Sequence, residues 1–284
     1  MTASACVAID VGGTKVDVAR VTTDGYIHER VRIDTRAAGD ELFERIVEAV
    51  SSLEAGRTEL IGVGCGGPMR QGGVEVSPLN IPQWRNFPLL DALNAATGAA
   101  VFIDNDAKAL ALAEGRFGAA RGLENFVSMV VSTGIGGGIV LDGRLLDGAD
   151  GNAGHIGHIV VEPNGRRCEC GVRGCLEAEA SGTALRSILG ADPASADEAL
   201  RTRTGTMVGR AVAAVTSLLD VTDFFVAGSV ALGYGDTFFA AANQAAQDLT
   251  GLSFAKRVQI HRSQLEKDGP ILGAACVAWR SVGI

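Results

Sequence analysis

Aromatic residues make up only 5% of this 284-residue chain, and prolines number 7. With so few rings, a core must be assembled mainly from Val, Leu, Ile and Ala. The scarcity of proline, together with glycines that follow no Gly-X-Y period, excludes a collagen-like or low-complexity chain. No stretch approaches 18 consecutive apolar residues, so no transmembrane span is expected. Basic residues are outnumbered, 25 Lys and Arg against 33 Asp and Glu, for a net charge of −8. Such a surface repels polyanions and argues against nucleic acid or an anionic membrane as partner. Met1 to Cys6 carries no basic segment ahead of an apolar one, and an aspartate follows at Asp10. This is not a secretory signal, and the expected location is the cytoplasm.

Glycine, by contrast, is plentiful: 38 residues, about 13% against a usual value of about 7%. Hydrophobic residues reach 47%, enough apolar surface to offset chain entropy, so the chain is globular. Its length suits about two domains. Cys6 to Thr23 reads as a strand, a glycine turn at Asp10–Lys15, and a second strand; Asp24-Gly25 is a hairpin turn before a third strand, Tyr26 to Ile33. Asp40 to Leu53 has helical spacing through Leu42, Ile46, Val47, Val50 and Leu53. Leu60 to Cys65 reads as a buried strand, Gly72 to Trp84 as a loop-rich hairpin, and Pro88 to Thr97 as a helix begun by proline. Ala100 to Ile103 is a strand delivering Asp104, Asn105 and Asp106, followed by the helix Ala107 to Phe117. The theme then repeats: a strand from Asn125 to Val131, a glycine turn from Ser132 to Gly138, a strand from Ile139 to Asp142, and an Asp142-Gly143 turn. Two such units about 120 residues apart suggest a duplicated β-meander plus helix with a cleft between the halves. Helical patterns dominate beyond Ala178, interrupted by the strand Asp223 to Ala227, and Gly269-Pro270 opens a final helix.

In the Asp10-Val-Gly12-Gly13-Thr14-Lys15 turn, adjacent glycines can bring backbone N–H groups to phosphate oxygens, with Thr14 and Lys15 adding donors. Asp10 could orient a metal ion; an ordinary hairpin turn is the alternative. The second turn, with Ser132, Thr133, Gly134, Gly136, Gly137 and Gly138, would weaken a plain hairpin for no structural return, and backbone access to an anion explains it better. Gly228 and Ser229, between a strand and a helix, either cradle a nucleoside or form a simple turn. Asp106 at a strand end suits a base for a substrate hydroxyl, with Asn105 holding a neighbouring one; otherwise Asp106 is a helix N-cap. His158, Cys168, Cys170 and Cys175, spaced H-x9-C-x-C-x4-C, complete a closed tetrahedral shell of structural zinc type. A disulfide is disfavoured in a reducing compartment. Glu177, two residues past the last cysteine, either points at a substrate or lies on the surface.

Together these residues resemble the ROK family of sugar kinases, repressors and related open reading frames, most specifically through Ser132–Gly138, Gly154-His-Ile-Gly-His158 and Cys168-x-Cys-Gly-x-x-Gly-Cys-x-Glu177. The resemblance implies an α/β, two-lobed ribonuclease H-like, actin-like ATPase fold with a structural zinc loop at 158–175. The N-terminal lobe would span 1–108 plus the last helix at about 270–284, and the C-terminal lobe 109–269. It further implies ATP phosphates on Asp10–Lys15 and Ser132–Gly138 bridged by Mg²⁺, and Asp106 as base. Asn105, His158, Glu177 and Asn80 (in Pro78–Trp84) would hold the sugar, Zn²⁺ would sit on His158 and the three cysteines, and the assembly would be a homodimer.

One departure is informative. Glucose-specific members carry Glu-x-Gly-His where this chain has His155-Ile156-Gly157-His158. A neutral imidazole offers one donor and one acceptor and cannot reproduce a carboxylate clamp on two hydroxyls. His155 resembles the N-acetylmannosamine kinases of the family, so the expected activity is ATP-dependent phosphorylation of the 6-hydroxyl of a hexose or hexosamine, N-acetylmannosamine foremost. Glucokinase, N-acetylglucosamine kinase and polyphosphate-using activities are the alternatives. A non-catalytic sugar-sensing regulator is the rival of another class, and the net charge and the early first strand disfavour it.

Overall fold

A computed structural model describes residues 5–53, 60–78 and 80–284. Residues 1–4, part of the N-terminal segment considered as a leader, and Leu79 of the Pro78–Trp84 motif lie outside the described residues. The chain divides into two compact units: Met1–Phe117 with Asp147–Ala153 and Lys267–Ile284, and Gly118–Leu146 with Gly154–Glu266. No described helix is long and apolar enough to cross a membrane.

The first unit begins with β1 (Ala5–Val11), β2 (Lys15–Thr22) and β3 (Ile27–Asp34). β1 and β2 pair antiparallel from Ala5↔Thr22 to Val11↔Val16, so Gly12, Gly13 and Thr14 alone make the turn. After α1 (Thr35–Ala38) and a single 3-10 turn comes α2 (Leu42–Ser52), which buries Leu42, Ile46, Ala49 and Val50 at the expected helical spacing. β4 (Leu60–Cys65), α3 (Leu89–Thr97), β5 (Ala100–Asn105) and α4 (Asp106–Phe117) complete it, with the C-terminal helix Gly269–Ser281. The sheet order is β3-β2-β1-β4-β5, with β4 parallel to β1 and β5 parallel to β4. Interior strand β4 is buried along its whole length, whereas edge strand β3 is mostly open. The C-terminal helix seats tightly because Gly62 and Gly273 lack side chains; a Cβ on Gly62 would collide with the Ala274 carbonyl, and one on Gly273 with the Ala109 backbone.

The second unit contains β6 (Phe126–Val131), β7 (Ile135–Leu141), β8 (Arg144–Leu145), α5 (Leu176–Ala180), α6 (Gly182–Leu189), α7 (Glu198–Leu219), β9 (Asp223–Ala227), α8 (Ser229–Leu249) and β10 (Gln259–Arg262). Its sheet runs β10-β9-β6-β7-β8, with β6–β7–β8 antiparallel and β9 and β10 added in parallel. That is the order and sense of the first sheet, strand for strand, so the duplication is real. Asp142 (φ 50°) and Gly143 (φ 70°) supply the two left-handed residues of a type I′ hairpin. The core of this unit is built on Phe224, Phe238, Leu176 and Val208, and that of the first on Ile9, Val18, Ile46 and Ile61.

Several boundaries differ from the sequence expectation. The second glycine turn is only Ser132–Gly134, because Gly136, Gly137 and Gly138 lie inside β7, opposite Val130, Met129 and Ser128. β5 continues through Asn105, and α4 begins at Asp106. Pro88 is the N-cap of α3 rather than its first helical residue. The Gly72–Trp84 hairpin reduces to isolated bridges, Met69↔Val76 and Val76↔Phe87. β10 escapes a sequence pattern because it is four residues long with one buried side chain.

Candidate active site

In the first unit the Gly12–Thr14 turn is fastened by Thr35, the first residue of α1. Its Oγ1 donates to the Gly12 carbonyl at 2.9 Å and its N–H to the Thr14 carbonyl at 3.1 Å. Gly12 N–H closes the turn on the Lys15 carbonyl at 3.0 Å. With those carbonyls engaged, the amides of Gly13 and Thr14 are the polarity that the turn presents to an anion. Asn80 packs over Gly13, where any Cβ would collide with it. Lys15, expected as a phosphate donor, lies 3.2 Å from Asp17, two residues along the same strand face. Asp17 is buried and also takes Arg32 at 2.7 and 3.0 Å.

Asp10 ends its buried run half-exposed. Burial, then the like charges of Asp106 and Asp17, push its pKa up to about 7. The Asp106 side chain is open to solvent, yet the dense protein around it raises its pKa as well, against a 2.8 Å hydrogen bond from the Ala107 N–H. Two mutually repelling carboxyls of this kind favour a divalent cation between or beside them. The N-cap role considered for Asp106 belongs to its neighbour: Asn105 Oδ1 accepts from the N–H groups of Ala107 (3.0 Å) and Lys108 (3.4 Å). Asn105 therefore has its amide NH₂ group, rather than its oxygen, to offer a ligand.

In the second unit the Ser132–Gly134 turn is held in the same manner. Thr183, in the first turn of α6, donates both its N–H (3.1 Å) and its Oγ1 (2.9 Å) to the Thr133 carbonyl, and Gly182 N–H donates to Ser132 O at 2.7 Å. Ser132 Oγ lies 3.0 Å from Ser229 Oγ, joining this turn to the N-terminus of α8. There Gly228 (φ 104°) crosses so close to Val131 that a Cβ would strike its backbone. Glu177 accepts a 2.6 Å hydrogen bond from Ile135 N–H, and burial pushes its pKa up to about 7. Gly137 of β7 has a packing cause. A Cβ on it would come within 3.2 Å of Ile156 and of the Ser128 carbonyl, and Gly137 N–H bonds the Gly154 carbonyl at 2.9 Å. Gly137 thus lets the Gly154–His158 segment lie on the strand. His155 is exposed there, its ring 6.0 Å from that of His158. Surrounding protein and then His158 push the His155 pKa down, which favours its neutral imidazole.

His158, Cys168, Cys170 and Cys175 converge, with all four ligand atoms within 4.8 Å of one another. Cys170 Sγ and Cys175 Sγ are 3.6 Å apart, and Cys168 Sγ is 3.7 Å from His158 Nδ1. Zn–S bonds of about 2.3 Å in a tetrahedron place sulfurs about 3.8 Å apart, so the donor set fits zinc. Gly171 (φ 93°) and Gly174 (φ 75°) fold the loop, and Cys168 N–H bonds the Val172 carbonyl at 2.8 Å. Burial and the neighbouring sulfurs push the Cys175 thiol up to about 12, so zinc would enter by displacing protons.

The family model described as "ROK family" matches residues 6–281. The chain belongs to the ROK family. Among its curated relatives, a glucokinase of Thermotoga maritima is 34% identical over 98% of this chain and 98% of its own length. An N-acetylmannosamine kinase of Citrobacter koseri is 35% identical over 95% of this chain and 97% of its own. The crystal structure of a ROK family glucokinase from Streptomyces griseus, in complex with glucose and AMPPNP, superposes with a TM-score of 0.82 at 27% identity, covering 97% of this chain and 99% of that one.

Groups around the ROK motifs carry little sequence signal of their own. Thr35 and Thr183 stand about 20 and 50 residues from the turns they hold, with no spacing to reveal the contact. Glu179, fully buried, accepts from the Arg166 backbone and side chain and from Arg203, tying the zinc loop to α5 and α7. Lys108 is buried against Asp104 and Asp147; Asp104 lies on β5 and Lys108 on α4, so no helical spacing marks even this pair.

Proposed function

We propose that this ROK-family sugar kinase uses ATP to phosphorylate the 6-hydroxyl of a hexosamine, with N-acetylmannosamine preferred over glucose. The observation that carries the choice of sugar is His155, exposed on the Gly154–His158 segment, where its surroundings favour the neutral imidazole. A neutral imidazole can donate to an acetamido carbonyl, whereas it lacks the paired acceptors with which a carboxylate would hold two adjacent hydroxyls. Glu177, fixed by the Ile135 N–H, keeps one oxygen for a sugar hydroxyl, and Asn105 and Asn80 supply further polar contacts. Asp106 takes the proton of the 6-hydroxyl as that oxygen attacks the γ-phosphoryl group in line. Amides of Gly13, Thr14 and the Ser132–Gly134 turn bind phosphate oxygens, and Gly228 and Ser229 flank the nucleoside. Mg²⁺ bound with ATP supplies positive charge to the transferring group, and Asp10 is the residue that would hold it. Zinc on His158, Cys168, Cys170 and Cys175 is structural and keeps His158 and Glu177 in register. The enzyme works in the cytoplasm as a homodimer, which light scattering of the purified protein checks.

The test is a coupled ADP-release assay across N-acetylmannosamine, N-acetylglucosamine, glucose, mannose and fructose, with polyphosphate as a second donor arm. A clear preference for N-acetylmannosamine is expected. Preference for glucose would transfer the assignment to the second reading, glucokinase, which the similarly close T. maritima relative favours. In the same assay Asp106→Asn is expected to lose about 10²–10⁴-fold in kcat with sugar affinity retained; near-normal turnover would remove Asp106 as the base.

A further inference from the structure

One ionic cluster of the first unit shares only Asp104 with the motifs above, and it surrounds the segment that carries Asp106. Lys108 has a side chain only 3% exposed. Its ammonium lies 2.8 Å from Asp104 Oδ1, 2.9 Å from Asp147 Oδ1 and 3.2 Å from the Gly151 carbonyl. Arg280, near the end of the C-terminal helix, joins both carboxylates, at 2.6 Å from Asp147 and 3.6 Å from Asp104. Two cations and two anions thus form a closed set across β5, α4, the Asp147–Ala153 segment and the last helix.

Burying an ammonium is costly unless it is fully paired, and an apolar residue on α4 would satisfy packing alone. What the cluster adds is constraint on residues 104 to 108. Asp104 Oδ1 also accepts the Asn105 N–H at 2.8 Å, and Asn105 Oδ1 accepts the amides of Ala107 and Lys108. Every residue flanking Asp106 is therefore bound, and Lys108 closes the chain of contacts from the helix back to the strand. Residues two apart on a helix point in different directions, so Lys108 can anchor the helix start without competing for the ligand that Asp106 faces.

We propose that Lys108, clamped by Asp104, Asp147 and Arg280, is a positioning residue that fixes the Asp106 carboxylate for proton transfer. It rests on the assignment of Asp106 as base and adds to it four residues, Asp104, Lys108, Asp147 and Arg280, that act through its position. A misplacement of about 1 Å at a reacting group can cost about 100-fold in rate, so the effect belongs in kcat rather than in sugar affinity.

The experiment compares the full-length parent with Lys108→Met, Lys108→Arg, Asp147→Asn and Arg280→Met, measuring Tm, sugar dissociation constant, and kcat and KM with the preferred sugar. Lys108→Met is expected to lower kcat by about 10- to 100-fold with the sugar dissociation constant nearly unchanged. Lys108→Arg should recover most of the loss, and Asp147→Asn and Arg280→Met should show smaller losses in kcat of the same kind. If Lys108→Met lowers Tm while kcat of the folded fraction stays at the parent value, the clamp is only structural and the proposal fails. Should Lys108→Met not fold, Asp147→Asn and Arg280→Met decide by the same kcat criterion. Failure of the base assignment is seen separately, as retained turnover in Asp106→Asn.

Discussion

At the scale of single residues, two glycines of α8 and its cap separate conformational need from composition. Gly228 has φ 104° and faces the Val131 backbone with no room for a Cβ, whereas Gly233, in the first stretch of α8 before the helix kinks at Gly235 (φ 62°), has open space. Gly228→Ala is expected to destabilise the protein by about 1–3 kcal/mol through forced backbone strain and to weaken nucleotide binding at the adjoining Ser132–Ser229 pair. Gly233→Ala should instead stabilise by up to about 1 kcal/mol, the helix-propensity difference. Urea unfolding of both variants, with nucleotide titrations, checks the contrast. Equal effects would mean that Gly228 is a generic loop glycine and that the tight crossing over Val131 carries no weight.

Among elements, the zinc loop and the β7 strand show what local pattern conveys. The ligand spacing of His158, Cys168, Cys170 and Cys175 was legible because a knuckle is a local object, closed within 18 residues. The buried pairing of Glu179 with Arg166 and Arg203 was not, since it joins the loop to α7 across more than 20 residues. That pairing has a consequence for metal removal. Cys170→Ser is expected to lose zinc by metal analysis, and with it sugar affinity, because His158 and the start of α5 lose their anchor. Cooperative unfolding should survive at a lowered Tm, since Glu179 still holds the loop to the helices. Absence of zinc from the parent protein would remove the metal from the account. The first glycine turn, bounded by alternating strands, was equally legible. The strand through Gly136–Gly138 was not legible because glycine leaves no inside–outside alternation to mark it, and the segment that packs on Gly137 begins 17 residues later, at Gly154. β10, with one buried side chain, offered no pattern, and the Lys108 cluster draws on residues 104, 147 and 280, which no window contains.

At the level of the whole molecule, a duplicated five-strand sheet has taken on asymmetric chemistry. Both units fasten a turn with a threonine, Thr35 or Thr183, but the first places carboxyls near its turn and the second places the His158–Cys175 cluster of four candidate metal ligands and Glu177. The titration of that first set couples ligand binding to global stability. In the ligand-free protein Asp10 is raised to about 7, first by burial and then by Asp106 and Asp17, against an unfolded value of about 3.9. Between those values the folded state binds the proton that the unfolded state has lost. The contribution of Asp10 to stability is therefore full below about pH 4 and declines as pH rises through 7. A magnesium–nucleotide complex reverses the sense, because the cation binds the ionised carboxyl and must displace the proton at pH 6 but not at pH 8. Stabilisation by a ligand that binds only the folded state grows as RT ln(1 + [L]/Kd). The Tm increase produced by a fixed concentration of Mg²⁺ and AMPPNP should therefore be larger at pH 8 than at pH 6, and Asp10→Asn should abolish the difference. Equal increases at the two pH values in the parent protein would show that Asp10 does not meet the cation, and the phosphate-binding role of the first turn would then rest on its amides alone.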